Sequence, residues 1–119
     1  MQVHLNTDDN IQNRESLAQW VESELTDKLA RFRDHITRVE VHLSDINAAR
    51  AGDNDKRCTL EARVNGRPPV AVSHDAGTVA DAFRGAVDRL MRAVDSAIGR
   101  ARDARGHASI RKTEDPGED

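Results

Sequence analysis

Residues 37–45 read "TRVEVHLSD", and this stretch decides the architecture. Val39, Val41 and Leu43 alternate strictly with Arg38, Glu40, His42 and Ser44. Successive side chains of an extended chain point to opposite faces, so the pattern predicts a strand with one dry side and one wet side. Alternation this regular belongs to a sheet covered on one face only. The same period returns on both sides of it. "RCTLEARVN" (57–65) alternates through Cys58, Leu60, Ala62 and Val64, and "VAVSH" (70–74) turns Val70 and Val72 inward. "QVHLN" (2–6) sets Val3 and Leu5 against Gln2, His4 and Asn6. Between the last two strands, "NGRPP" (65–69) is hairpin-turn chemistry whose prolines disfavour a tight two-residue loop. "INAARAGDND" (46–55) is a polar loop.

Two segments change period. From Arg14 to Phe32, apolar residues fall at Leu17, Trp20, Val21, Leu25, Leu29 and Phe32, the three-and-four spacing of an amphipathic helix. "TDDNIQN" (7–13) precedes it as turn chemistry, with Asn13 placed to cap. Thr78, three residues before Asp81, makes a capping-box-like start to a second helix. Its apolar side is Val79, Phe83, Val87, Leu90, Met91, Val94, Ala97, Ile98 and Ala101. From about residue 104 the pattern ends, so residues 1–103 are expected to form one domain and 104–119 a flexible polar tail. The order is β-α-β-β-β-α, with a right-handed parallel crossover through the first helix. An α+β two-layer sandwich follows: a four-stranded mixed sheet with both helices on one face.

A chain of 119 residues suits a single domain, and 37% hydrophobic with 33% charged residues suits a soluble globular one. The apolar runs are too short to cross a bilayer, and no basic segment followed by an apolar one opens the chain. The expectation is a cytoplasmic, unprocessed protein with no membrane partner. Cys58 is the sole cysteine, which precludes an internal disulfide and, in a strand pattern, reads as a small buried residue. Formal net charge is −3; residues 1–103 hold 15 Lys+Arg and 17 Asp+Glu, a difference of −2. That balance counts against a general nucleic-acid coat protein, so polyanion contact requires a local patch.

The candidate patch is "VDRLMRAVDSAIGRARD" (87–103). Arg89, Arg92 and Arg100 share one flank of the polar arc, while Asp81, Asp88 and Asp95 run nearer the other. Asp88 precedes Arg92 by four residues, an ion-pair spacing that stabilises a helix by about 0.2–0.5 kcal/mol. From the residues alone, a solvated, self-paired helix face is the plainer account. Lys28, Arg31 and Arg33 close the first helix, where cations also suit the negative end of the helix dipole. Trp20, Phe32 and Phe83 all fall on apolar faces and there is no tyrosine, which leaves no platform for stacking unpaired bases. Nucleic-acid contact would read the shape and phosphates of folded RNA. His4 and His42 lie on wet strand faces without a third ligand for a metal. No nucleophile has a recognisable base and no glycine-rich phosphate loop follows a strand. No enzyme activity, cofactor or small-molecule substrate is expected.

In this element order, "MQVHLNTDDNIQNRESLAQWVESELTDKLARF" (1–32) and "ADAFRGAVDRLMRAV" (80–94) resemble the ribosome hibernation-promoting factor and ribosome-associated inhibitor A family, formerly called sigma-54 modulation proteins. The resemblance covers residues 1 to about 103. It implies a fold similar to double-stranded-RNA-binding domains and a cytoplasmic bacterial protein. It also implies docking on the small ribosomal subunit and its rRNA, where messenger and transfer RNA would lie, under stress or in stationary phase. Translation would be silenced by occupancy, without chemistry. The family's long members add a dimerisation domain; this chain looks like a short form, expected to be a monomer. Arg89 and Arg92, in "DRLMR" (88–92), match family positions that carry Lys or Arg. "DSAIGRA" (95–101) departs from the family's run of lysines, and Arg100 and Arg102 restore charge. The expected RNA contacts are Arg89, Arg92 and Arg100, with Arg84, Lys28 and Arg31 secondary. Two alternatives stay open: a relative with weak or no ribosome binding that works through protein contacts on its polar sheet face, and a general structured-RNA-binding module.

Overall fold

The chain forms β1 (Gln2–Thr7), α1 (Arg14–Lys28), β2 (Ile36–Asp45), β3 (Lys56–Val64), β4 (Val70–Ala76) and α2 (Val79–Arg111), in the expected order. The structure is a computed structural model that describes residues 1–8, 11, 14–46 and 55–111, with side chains through residue 99. Asn13, the expected cap, and most of the 46–55 loop lie outside the described residues.

The sheet runs β1-β2-β3-β4. β1 pairs with β2 in parallel, Val3 beside Val39 and Leu5 beside Val41, and the other two pairings are antiparallel. Val39, Val41 and Leu43 therefore share the inner face with Cys58, Leu60 and Ala62, all buried. Val21, Leu25 and Leu29 cover that face from the first helical segment, and Phe83, Ala86, Leu90 and Val94 cover it from α2. Fully burying one such Leu, Val or Phe stabilises the fold by about 1.5–3 kcal/mol, which makes the alternating pattern decisive for the fold.

Three local details depart from the periodic reading. β2 starts at Ile36, and the pairing with β3 shifts register between Ile36 and Arg38. This irregularity puts Ile36 inside alongside Val39, three residues away, where unbroken alternation would have turned it outward. The helix expected to Phe32 stops at Lys28; Leu29 leaves helical geometry (φ −100°, ψ 14°), and a 3-10 turn over Ala30–Phe32 buries Phe32. The second helix continues to Arg111, eight residues past the expected domain end at 103. Residues 104–111, expected as part of a flexible tail, are helical in backbone, and 112–119 lie outside the described residues. The apolar stripe stops near residue 103 in the sequence, and a run rich in alanine and arginine keeps its helical propensity beyond it.

The turn after β3 uses Gly66 at φ +70°, a left-handed conformation that glycine adopts without steric cost. Thr78 caps α2 as read: its Oγ1 accepts from the Asp81 N–H at 3.1 Å.

Candidate nucleic-acid interface

α2 lies across β3 and β4. Its seven-residue recurrence of Asp81, Asp88 and Asp95 draws an acidic strip along the exposed side. At about 100° per residue, Arg84 falls on the α1 side of that strip, and Arg89 and Arg92 fall on the β4 side. Among the described side chains of α2, Arg84 and the Arg89–Arg92 pair therefore lie on different flanks of the acidic strip.

On the β4 side, Arg89 Nη1 donates to the Ser73 carbonyl at 3.2 Å. Ser73 belongs to β4, an edge strand of the sheet. One backbone acceptor is thus satisfied and the Arg89 side chain is tied to the edge, while a guanidinium's five donors leave others for a ligand. Arg92, one helical turn further on, is exposed on the same flank. Next to them Asp75 accepts two bonds from Arg57, at 2.8 and 3.1 Å. Arg57 holds the Asp75 carboxyl below its ordinary pKa, with smaller contributions from His74 and Arg89.

On the α1 side, Lys28 and Arg84 meet in a groove between the helices, with a volume of about 160 Å³. Phe83 and Val87 form its apolar part, and Glu24 and Asp88 add two anions. The Arg84 guanidinium sits 5.4 Å from the Trp20 ring centre and 3.9 Å from Asp81. Trp20 in turn packs on Phe83, ring centres 5.1 Å apart, so the two helices and Arg84 form one stack. Arg31 lies at the end of this segment, 4.4 Å over the Phe32 ring. Arg100 is in α2, but its side chain lies outside the described residues.

The outer sheet face is organised in cross-strand rows. Arg38 opposes Arg63, and Glu40 opposes Glu61. Arg38 pairs with Glu40 along β2, His42 lies 3.7 Å from Glu40, and Thr59 and Ser73 share a hydroxyl contact at 3.3 Å. Like charges directly opposite each other are destabilising unless neighbours compensate, and the Arg38–Glu40 pair does so. Among the described residues, no cluster of three His, Cys, Asp or Glu side chains is placed to hold a metal ion, and no helix is long and apolar enough to cross a membrane.

Sequence reasoning missed the β4 edge. Ser73 anchors Arg89 through its carbonyl and Asp75 adds a nearby charge, yet they lie one and three residues past the inward Val72, at wet-face parity. It also missed His74. Strand parity turns this ring inward, where it is half-buried, and Gly85 of α2 provides the space: a Cβ there would overlap the imidazole.

Comparison with known proteins agrees with the fold. The profile of the family described as sigma 54 modulation protein / S30EA ribosomal protein matches residues 6–102. The crystal structure of the Thermus thermophilus Protein Y N-terminal domain is similar, with 24% identity and a TM-score of 0.59, covering 76% of this chain and 91% of that one. A ribosomal subunit interface protein from Coxiella burnetii shares the fold at 15% identity and a TM-score of 0.60, covering 82% of this chain and 99% of that one. No curated protein matches by sequence.

Proposed function

Because this chain belongs to the sigma 54 modulation protein / S30EA ribosomal protein family, we propose that it binds the small ribosomal subunit in the bacterial cytoplasm and inactivates translation by occupying the channel for messenger and transfer RNA. The family match across residues 6–102 carries this reading. Local support comes from Arg89 and Arg92, fixed cations on a rigid helix. Phosphate contact requires only such cations, each releasing counterions from the RNA. The reading involves rRNA as partner, a monomeric protein, induction in stress or stationary phase, and no catalysed step.

Co-sedimentation with isolated small subunits tests it. Wild type should travel with the subunit, and the double variant Arg89→Glu, Arg92→Glu should stay at the top of the gradient while keeping its fold. Both side chains are exposed, so the core is untouched; the bond to Ser73 is worth about 1 kcal/mol. If wild type and variant sediment alike, these arginines do not carry the contact.

The acidic strip and the net charge of −3 favour a second reading, protein contacts without ribosome affinity. Sedimentation of a stationary-phase extract separates the two: ribosomal fractions support the first, the top of the gradient the second.

A further inference from the structure

We propose that the outer edge of β1 is a self-association surface, where a second copy of this chain adds its own β1 antiparallel and joins two four-stranded sheets into one. The pairing concerns the free protein. It does not depend on the ribosome reading, in which the bound chain is a monomer.

The two edges of the sheet differ. β1 and β4 are its outer strands. An edge strand leaves a row of backbone N–H and C=O groups ready to pair with another chain, and charge, proline or a covering side chain blunts it. β4 is blunted in all three ways. Arg89 reaches from α2 to the Ser73 carbonyl at 3.2 Å, Asp75 and Arg57 hold an ion pair beside it, and Pro68 and Pro69 lead into the strand. β1 reads "QVHLNT" (2–7), six residues without a carboxylate, lysine, arginine, proline or glycine. Among the described residues, no side chain bonds to its backbone as Arg89 does to β4. The apolar side of β1 is also incompletely covered. Val39 and Val41 are fully buried, whereas Val3 and Leu5 beside them are only half-buried, and Met1 is 39% exposed. β2 covers one side of these residues, and the sheet ends on the other.

Register and charge identify the occupant as a second copy. Apolar faces continue across a new strand pair only where residues of matching parity stand opposite each other. Antiparallel pairing of β1 with itself, centred on His4, meets that condition along the strand: Gln2 meets Asn6 of the second copy, Val3 meets Leu5, and His4 meets His4. Two Val–Leu pairs then close the inner face. Amides and imidazoles line the outer face, with no like-charged pair of lysines, arginines or carboxylates to oppose it. The two-fold axis runs perpendicular to the sheet through the His4 pair, so the helices of both copies lie on the same side. The guarded β4 edge stops the assembly at two. Six residues at about 3.4 Å each make a contact roughly 20 Å long and one strand wide. That is below the roughly 1,200–2,000 Å² that stable complexes bury, so the dimer is weak and exchanges with the monomer.

Sedimentation equilibrium of the full chain, from micromolar to near-millimolar concentration, tests this with two double variants. One carries Gln2→Lys with Asn6→Lys, the other Gln2→Lys with Asn6→Glu. Both positions are exposed on the outer face, so circular dichroism should show the fold unchanged. The wild-type mass should rise with concentration towards twice the monomer and no further. The double lysine variant sets like charges opposite each other at both ends of the pair and should stay monomeric. The Lys–Glu variant sets opposite charges there and should associate several-fold more tightly than wild type at low salt, a gain that salt removes. Wild type that stays monomeric throughout overturns the proposal and leaves the ribosome reading intact. Association shared equally by all three proteins places the contact elsewhere, and association lost in both variants rules out the register centred on His4; either result overturns β1 pairing. Growth beyond the dimer does so too, because it needs a second open edge. A dimer that behaves as expected beside wild type that fails to co-sediment with small subunits would sink the ribosome reading alone.

Discussion

Cys58 and Asp75 show how little of a residue's behaviour follows from its type. Cys58 lies on the inner face of β3, fully covered, and burial pushes its thiol up to about 12. Reaction with alkylating agents needs the thiolate, so native protein at pH 8 should label with iodoacetamide only after denaturation. Rapid native labelling would show that β3 opens. Asp75 moves the other way, its carboxyl held low chiefly by the Arg57 hydrogen bonds. A group whose folded pKa is depressed contributes stability above its unfolded value, near 3.9 for aspartate. That contribution disappears as pH falls through the lower folded value. The thermal midpoints of wild type and Asp75→Asn should therefore differ at pH 7 and converge towards pH 2.5. The pair is solvent-exposed, so the gap should be small and should shrink in high salt.

At the scale of elements, the contact between α2 and β4 rests on a missing side chain. Gly85 lies against His74, and no Cβ fits between them. Gly→Ala in a helix interior normally stabilises by about 0.8–1.0 kcal/mol. Here overpacking, about 1–3 kcal/mol, should outweigh that gain and leave Gly85→Ala destabilised by up to about 2 kcal/mol. In a His74→Ala background the same substitution should become neutral or stabilising, since the obstructing ring is gone. Urea denaturation of the four proteins in the cycle measures this coupling. Additive effects would mean that the helix shifts to accommodate the methyl. Because Arg89 reaches Ser73 across the same junction, Gly85→Ala should also weaken subunit binding.

For the whole molecule, the relevant quantities are occupancy and charge. A protein that acts by filling a channel should inhibit cell-free translation in proportion to the ribosomes it occupies, leaving RNA and protein unmodified. Inhibition far below one protein per ribosome would point to an enzyme. Residues 104–119 include only one large apolar residue, Ile110. Deleting them should lower the thermal midpoint by less than about 5 °C, since 1 kcal/mol corresponds to roughly 4–8 °C for a domain near this size.

Periodicity in "TRVEVHLSD" and its neighbouring strands was enough to specify a one-faced sheet, two covering helices and their order, because alternation is a local property imposed directly by burial. Thr78 as a cap and Cys58 as a core residue were readable for the same reason: each depends on a few adjacent positions. Ile36 escaped, since an irregularity that reverses its side is set by pairing with β3. Helix spacing grouped Arg89 with Arg92 on one flank, but what each candidate cation touches was not legible in the sequence. Arg89 is tied to a carbonyl sixteen residues away, Arg84 rests on Trp20 of another helix, and Lys28 faces Arg84 across a groove. Such placements depend on where distant segments pack. The helical backbone of α2 runs to Arg111, past the point near residue 103 where the apolar stripe stops, because a stripe reports burial while the helix itself is closed by local backbone bonds.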